Sequence, residues 1–177
     1  MKNSAGPKAV RRIVTGENAA GRSIIVSDGP TPNLFAADFA PLYAQVPWVT
    51  GETAARGDEP APAGANIPTY SVSAGGSVFR IVDFPPDDTY EQKSLHALLD
   101  DHGIRDKQAP RHFWFHKSPT LDYAICIEGE IYAMLDEGET LMSAGDVLIQ
   151  RATNHSWSNR SSKPCRMAFV LITLDHE

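Results

Sequence analysis

The chain reads as an all-β, antiparallel sandwich or barrel with a single helix, and three features of its 177 residues predict this. Glycine and proline number 13 each, a density of turn formers that argues against a helical bundle. From His112 onward, short β-rich runs follow one another with turn signals between them. Only one stretch, between Thr89 and Gly103, carries helical spacing.

The elements follow in order. Residues 11–14 and 22–26 are β-rich runs joined by turn formers at 15–21, which predicts an N-terminal hairpin at the edge of the sheet or at a dimer contact. Residues 27–68 weaken into Gly, Pro, Ala and Asp, with near low complexity at 58–64, and read as a long loop. The apolar residues at 34–35 and 42–48 tie that loop back onto the core, a packing role ahead of a lid. Residues 77–84 alternate apolar and polar side chains and stop at Pro85 and Pro86, which cannot continue a ladder. Thr89 and Gln92 form a capping-box pattern, Leu95, Leu98 and Leu99 make an apolar stripe, and Gly103 stands where a helix ends. Strands are then expected at 112–116, 123–128, 131–135, 139–142, 147–150, 155–159 and 166–173, with the acidic 136–139 run as a hairpin turn. The organisation predicted is an extension, hairpin plus long loop, over residues 1–76, packing on a barrel over residues 77–177.

Composition narrows the function classes. With 16 Lys and Arg against 22 Asp and Glu the net charge is −6, and no basic stripe offers itself to a phosphate backbone, so nucleic acid is excluded as a partner. No apolar run approaches the roughly 18 residues of a membrane span, and the first residues lack the apolar core of a signal peptide, so a cytoplasmic protein with no membrane partner is expected. The two cysteines, Cys126 and Cys165, cannot build a disulfide framework or a cysteine zinc site. Cys126 reads as a small buried residue. Any metal must therefore use histidine and carboxylate ligands.

Chemistry-bearing side chains gather in two groups. In one, His116 precedes Asp122, which is separated from Gly129 by six residues; in the other, Gly145 and Asp146 precede His155, which is separated from Asn159 by three residues. These spacings resemble the two motifs of the cupin family, over roughly residues 77–174. Ser118 stands where the family has a second histidine, Pro110 where it has a leading glycine, and Arg151 where it has a proline. The resemblance implies a jelly-roll barrel in which His116, Asp122 and His155 gather as metal ligands.

Two histidines and one carboxylate are the donor composition of non-haem Fe(II) sites, and the same set holds Zn2+ with an open position. A divalent metal ion is the expected cofactor, Fe(II) favoured and Zn2+ the alternative. Strand alternation turns Trp114 and Ser118 inward with His116, and Trp157 inward with His155. His112 lies four residues from His116, roughly 13 Å along a strand, and is left out of the ligand set. Ser118, Thr120, Gln150 and Asn159 are the hydrogen bonders placed to orient a ligand or a histidine, Asn159 also serving to tie a turn. The expected function is a metal-dependent cupin enzyme on a small organic molecule. With Fe(II) it performs dioxygenase chemistry. With Zn2+ it works as a lyase, decarboxylase or isomerase in which Asp122 or a bound hydroxide serves as base. The alternative from another class is a non-catalytic pocket for a small ligand. The hairpin and the habit of the family point to a homodimer.

Overall fold

The computed structural model describes residues 6–51, 75–108 and 111–174; the near low-complexity run at 58–64 lies outside them. The described chain forms β1 (Arg11–Glu17), β2 (Ser23–Pro30), β3 (Leu34–Ala36), β4 (Tyr43–Thr50), β5 (Ser77–Phe84), a 3-10 turn (Asp87–Thr89) and α1 (Gln92–Asp101). It continues with β6 (Thr120–Glu128), β7 (Glu130–Leu135), β8 (Glu139–Ser143), β9 (Val147–Arg151), β10 (His155–Ser158) and β11 (Cys165–Thr173). Strands β3-β4-β5-β11-β6-β9 form one sheet in that order, β10-β7-β8 a second, and β1-β2 a two-stranded third. Every pairing is antiparallel.

The core sits between the two larger sheets. Val82, Phe84, Ala124, Cys126, Met167, Phe169 and Leu171 reach it from the six-stranded sheet, and Ile131, Ala133, Met142 and Trp157 from the three-stranded one. Strand periodicity does this sorting: along β6, Asp122, Ala124 and Cys126 are buried while Tyr123, Ile125 and Ile127 face out. Cys126 and Cys165, on neighbouring strands, bring their Sγ atoms to 3.9 Å as free thiols. Helix α1 presses Leu95 and Leu99 into the same core.

Three local departures from the sequence reading have physical causes. The stretch expected as loop contains β3 and β4, so the large sheet begins well before residue 77. What hid β4 is Pro47, which has no N–H for the ladder and sits where the register against β5 shifts, between Gln45 and Trp48. Residues 112–116, expected as a strand, form turns that end at His116 in two isolated bridges, one to Arg105 and one to His155. Trp114, Phe115 and His116 are buried consecutively, which a strand with one buried face cannot do. The helix is capped by Glu91, whose carboxylate accepts from the amides of Lys93 and Ser94, because Thr89 is used in the preceding 3-10 turn.

Gly129 makes the tight turn between β6 and β7 at φ +83°. A Cβ there would stand 3.0 Å from the Pro164 carbonyl oxygen and 3.2 Å from the Cys165 Cα, both backbone atoms that cannot swing aside. Gly129→Ala is therefore expected to cost about 2 kcal/mol, from left-handed strain and the clash together, read as a lower midpoint in urea denaturation.

Candidate active site

A pair of histidines forms where the turns before β6 bridge the first residue of β10. The His116 amide donates to the His155 carbonyl at 2.9 Å and the His155 amide returns the bond at 3.0 Å, which fixes the two residues opposite each other. Their rings lie 4.3 Å apart, both buried. His116 Nδ1 is 2.7 Å from the Trp114 carbonyl and His155 Nδ1 is 3.0 Å from the Thr153 carbonyl. A carbonyl only accepts, so each Nδ1 carries the proton and each Nε2 keeps its lone pair. Burial holds the His155 pKa down to about 4, a shift that its bond to Thr153 opposes and the Arg80 charge assists. Burial, then neighbouring His155, then Arg80 push His116 well below the ordinary value. Both imidazoles are neutral at neutral pH.

The other expected site residues divide into those around this pair and those turned elsewhere. Trp114 stands 6.1 Å from the His116 ring and Trp157 stands 5.9 Å from that of His155, edge on. The Ser118 and Thr120 hydroxyls bond each other at 3.0 Å, inside. Asp122 is buried, which raises its pKa against the opposing pull of Thr120 and Arg80, and its Oδ1 has no hydrogen-bond partner. Gln150 donates to the Thr153 carbonyl at 2.6 Å and accepts from the Thr153 hydroxyl at 2.9 Å. It thus holds the same carbonyl that orients His155. Asn159 does not serve a ligand: its amide donates to the Phe84 and Lys163 carbonyls and accepts from Ser161, closing the turn before β11. His112 likewise faces away, held by Ser156 at 2.6 Å and Asp87 at 3.2 Å.

Sequence reasoning passed over Arg80. It lies on the buried row of β5 with Val78, Val82 and Phe84, its Cζ 5.1 Å from the centre of the Phe169 ring. Together with Leu42, Ala44, Trp114, His116 and Trp157 it lines a cavity of about 20 Å3. A signal was present: a charged side chain on the apolar row of an alternating strand. Among the described residues no three His, Cys, Asp or Glu side chains are grouped closely enough to hold one ion. The structure brings His116 and His155 together and leaves Asp122 outside that grouping.

Comparison with known proteins places this geometry. The profile of the cupin domain family matches residues 106–172, the span that carries both histidines. The cupin-domain-containing oxidoreductase virC of Hypocrea virens is 30% identical over 174 residues, 94% of this chain and 77% of that protein. The chain belongs to the cupin family. A second cupin-domain-containing oxidoreductase, fogC of Aspergillus ruber, is 29% identical over 174 residues, 95% of this chain and 74% of its own. The phomopsin biosynthesis cluster protein C′ of Diaporthe leptostromiformis is 35% identical over 113 residues, 63% of this cupin and 44% of that relative. The cupin thus matches less than half the length of the phomopsin protein. Among its described residues, the facing six- and three-stranded sheets and the one α-helix fit the all-β barrel architecture that the motif resemblance implied. Among its described residues no helix is long and apolar enough to cross a membrane.

Proposed function

We propose that this cupin is a metal-dependent oxidoreductase of small organic molecules, with Fe(II) the favoured ion and His116 and His155 at the reacting centre. The carrying observation is the histidine pair, two buried neutral imidazoles whose Nδ1 atoms are committed to carbonyls and whose Nε2 lone pairs are available. The relatives from H. virens and A. ruber, both named as oxidoreductases, support the class.

The donor set fits a divalent ion in kind. Neutral imidazole is a standard ligand for iron and zinc, and Asp122 offers a buried carboxyl oxygen with no hydrogen-bond partner. In number, the grouping stops at the pair among the described residues. His116 and His155 would hold the ion, with Asp122 the carboxylate nearest in role. Fe(II) bound there would supply one-electron chemistry with dioxygen.

The chain's own residues supply the rest. Trp114 and Trp157 exclude water and present flat apolar walls to a substrate. Gln150 fixes the Thr153 carbonyl and through it the His155 ring. Asp122, its proton affinity raised by burial, holds or accepts a proton at Oδ1.

Protein purified without chelator is expected to carry near-stoichiometric metal. After Fe(II) loading it is expected to consume oxygen with at least one member of a panel of catechols, diketones and keto acids. A metal-free protein that also rejects added Fe(II) and Zn2+ overturns the proposal.

A further inference from the structure

We propose that the β1–β2 hairpin is an exchange arm: two copies of this chain form a two-fold dimer in which the hairpin of each lies across the outer face of the other's six-stranded sheet. This is independent of the chemistry at His116 and His155. The juxtaposition is of a hairpin apolar on both faces and an apolar surface spread over four strands, with the hairpin rooted at the edge of that surface.

Strand register makes the surface. Phe79, Val170, Tyr123 and Ile149 are successive cross-strand partners on β5, β11, β6 and β9, and Ile81, Ala168, Ile125 and Val147 form the row beside them. Partners directly opposite share a face, and Tyr123 and Ile125 face outward. Neither row contains a charged residue. Phe79, Tyr123, Ile125, Ile127, Val147 and Ile149 stand 36–67% exposed. Scattered apolar side chains on a surface are ordinary, but two adjoining rows of them mark an interface. Strand β11 is apolar on both faces from Met167 to Ile172, the pattern of a strand covered on both sides.

The hairpin has the matching character. Ile25 pairs with Thr15 and shares a face with Ile13, while Ile24 pairs with Gly16 on the other face, where Val26 leans over the same glycine. Ile13, Ile24, Ile25 and Val26 are 42–61% exposed. A ribbon that keeps one face in water carries polar side chains there, and a two-stranded hairpin needs a further surface to be stable.

Position, area and charge select a second copy as the occupant. The root of the hairpin is fastened to the same sheet face: the Lys8 carbonyl accepts from Gln45 and Arg166, and the Val10 amide donates to Gln45, the cross-strand partner of Ile81. A two-fold axis then lays each arm on the other copy's rows. A large apolar side chain buries about 150 Å2 or more in full, so ten of them at about half exposure offer about 800 Å2 per copy, what a standard interface takes from each partner. At a net charge of −6 two copies repel, and they meet best where charges are already paired. Around the root they are, Lys8 with Glu128 at 2.9 Å and Arg166 with Asp83 at 2.6 Å.

Sedimentation velocity of the full chain across a micromolar concentration series tests this, with far-UV circular dichroism checking that each variant folds. Wild type is expected to sediment at twice the chain mass. Ile25→Lys on the arm and Tyr123→Glu on the surface are each expected to raise the dimer dissociation constant at least about tenfold, because each buries an unpaired charge. Both side chains are exposed in the single chain, so its fold does not rest on them. Combined in one chain, the two opposite charges attract across the interface, and the loss is expected to fall short of the product of the single effects. Effects that multiply in full show that arm and surface do not touch, and overturn the proposal. A wild type that stays monomeric overturns it whatever else covers the rows, and so does a dimer that Ile25→Lys leaves intact.

Discussion

His155→Ala is expected to release the metal and to lower kcat of the Fe(II)-loaded protein by at least about a thousandfold, ~4 kcal/mol of transition-state stabilisation. The size follows from how the side chain is held. His155 is fixed by a reciprocal backbone bridge to His116, by its own Nδ1 bond to Thr153, and by Gln150 behind that carbonyl. Alanine removes one of two imidazole donors, and no third His, Cys, Asp or Glu among the described residues joins the remaining one. The fold loses less, because β10 keeps its ladder to β7. A variant with native circular dichroism and no metal supports the assignment, and exogenous imidazole is expected to restore part of the rate. A variant that keeps wild-type metal content and kcat shows that His155 is not a ligand.

Metal-free protein is expected to lose stability as the pH falls from about 6.5 to about 4. In that window the unfolded chain binds a proton at position 155 that the folded chain refuses, because burial has lowered the folded pKa to about 4 from 6.5. The unfolded state therefore gains protons and stability declines toward acid. Above the window both states are deprotonated and the slope vanishes. At 1.36 kcal/mol per unit, His155 alone contributes up to about 3 kcal/mol, and His116 acts in the same direction. Asp122 opposes them at the acid end, since its raised folded pKa means that the folded state takes up that proton first. Urea denaturation across the window, compared with His155→Leu, measures the effect. An unchanged slope in the variant would show that His155 is not the group responsible.

Most of the barrel strands were legible from alternation or from a continuous apolar run. The alternation at 77–84 and 123–128 suits strands with one face buried, the apolar run at 166–173 suits a strand buried on both, and β5, β6 and β11 fall there. Consecutive burial in an irregular segment was not legible. Trp114, Phe115 and His116 are all inside, held by turns and two isolated bridges, and β4 carries a proline at a register shift. For the site, motif spacing pointed to His116 and His155 and the fold sets them 4.3 Å apart. It could not say that the Asn159 amide is consumed by the carbonyls of Phe84 and Lys163, nor that Asp122 stays outside the grouping. Those depend on side-chain direction across sheets far apart in sequence. Arg80 escaped notice because a polar residue in an alternating strand is ordinarily assigned to the solvent face, and here the row to which it belongs is the buried one.

The two neighbouring thiols make the large sheet report on its own opening. Cys126 on β6 and Cys165 on β11 are buried, and burial pushes both pKa values up, so neither presents a thiolate to solvent while those strands are paired. An alkylating reagent can reach them only after β6 and β11 separate. The rate of thiol labelling in native buffer therefore times the rarest fluctuation of the sheet, the parting of two of its central strands, with no introduced probe.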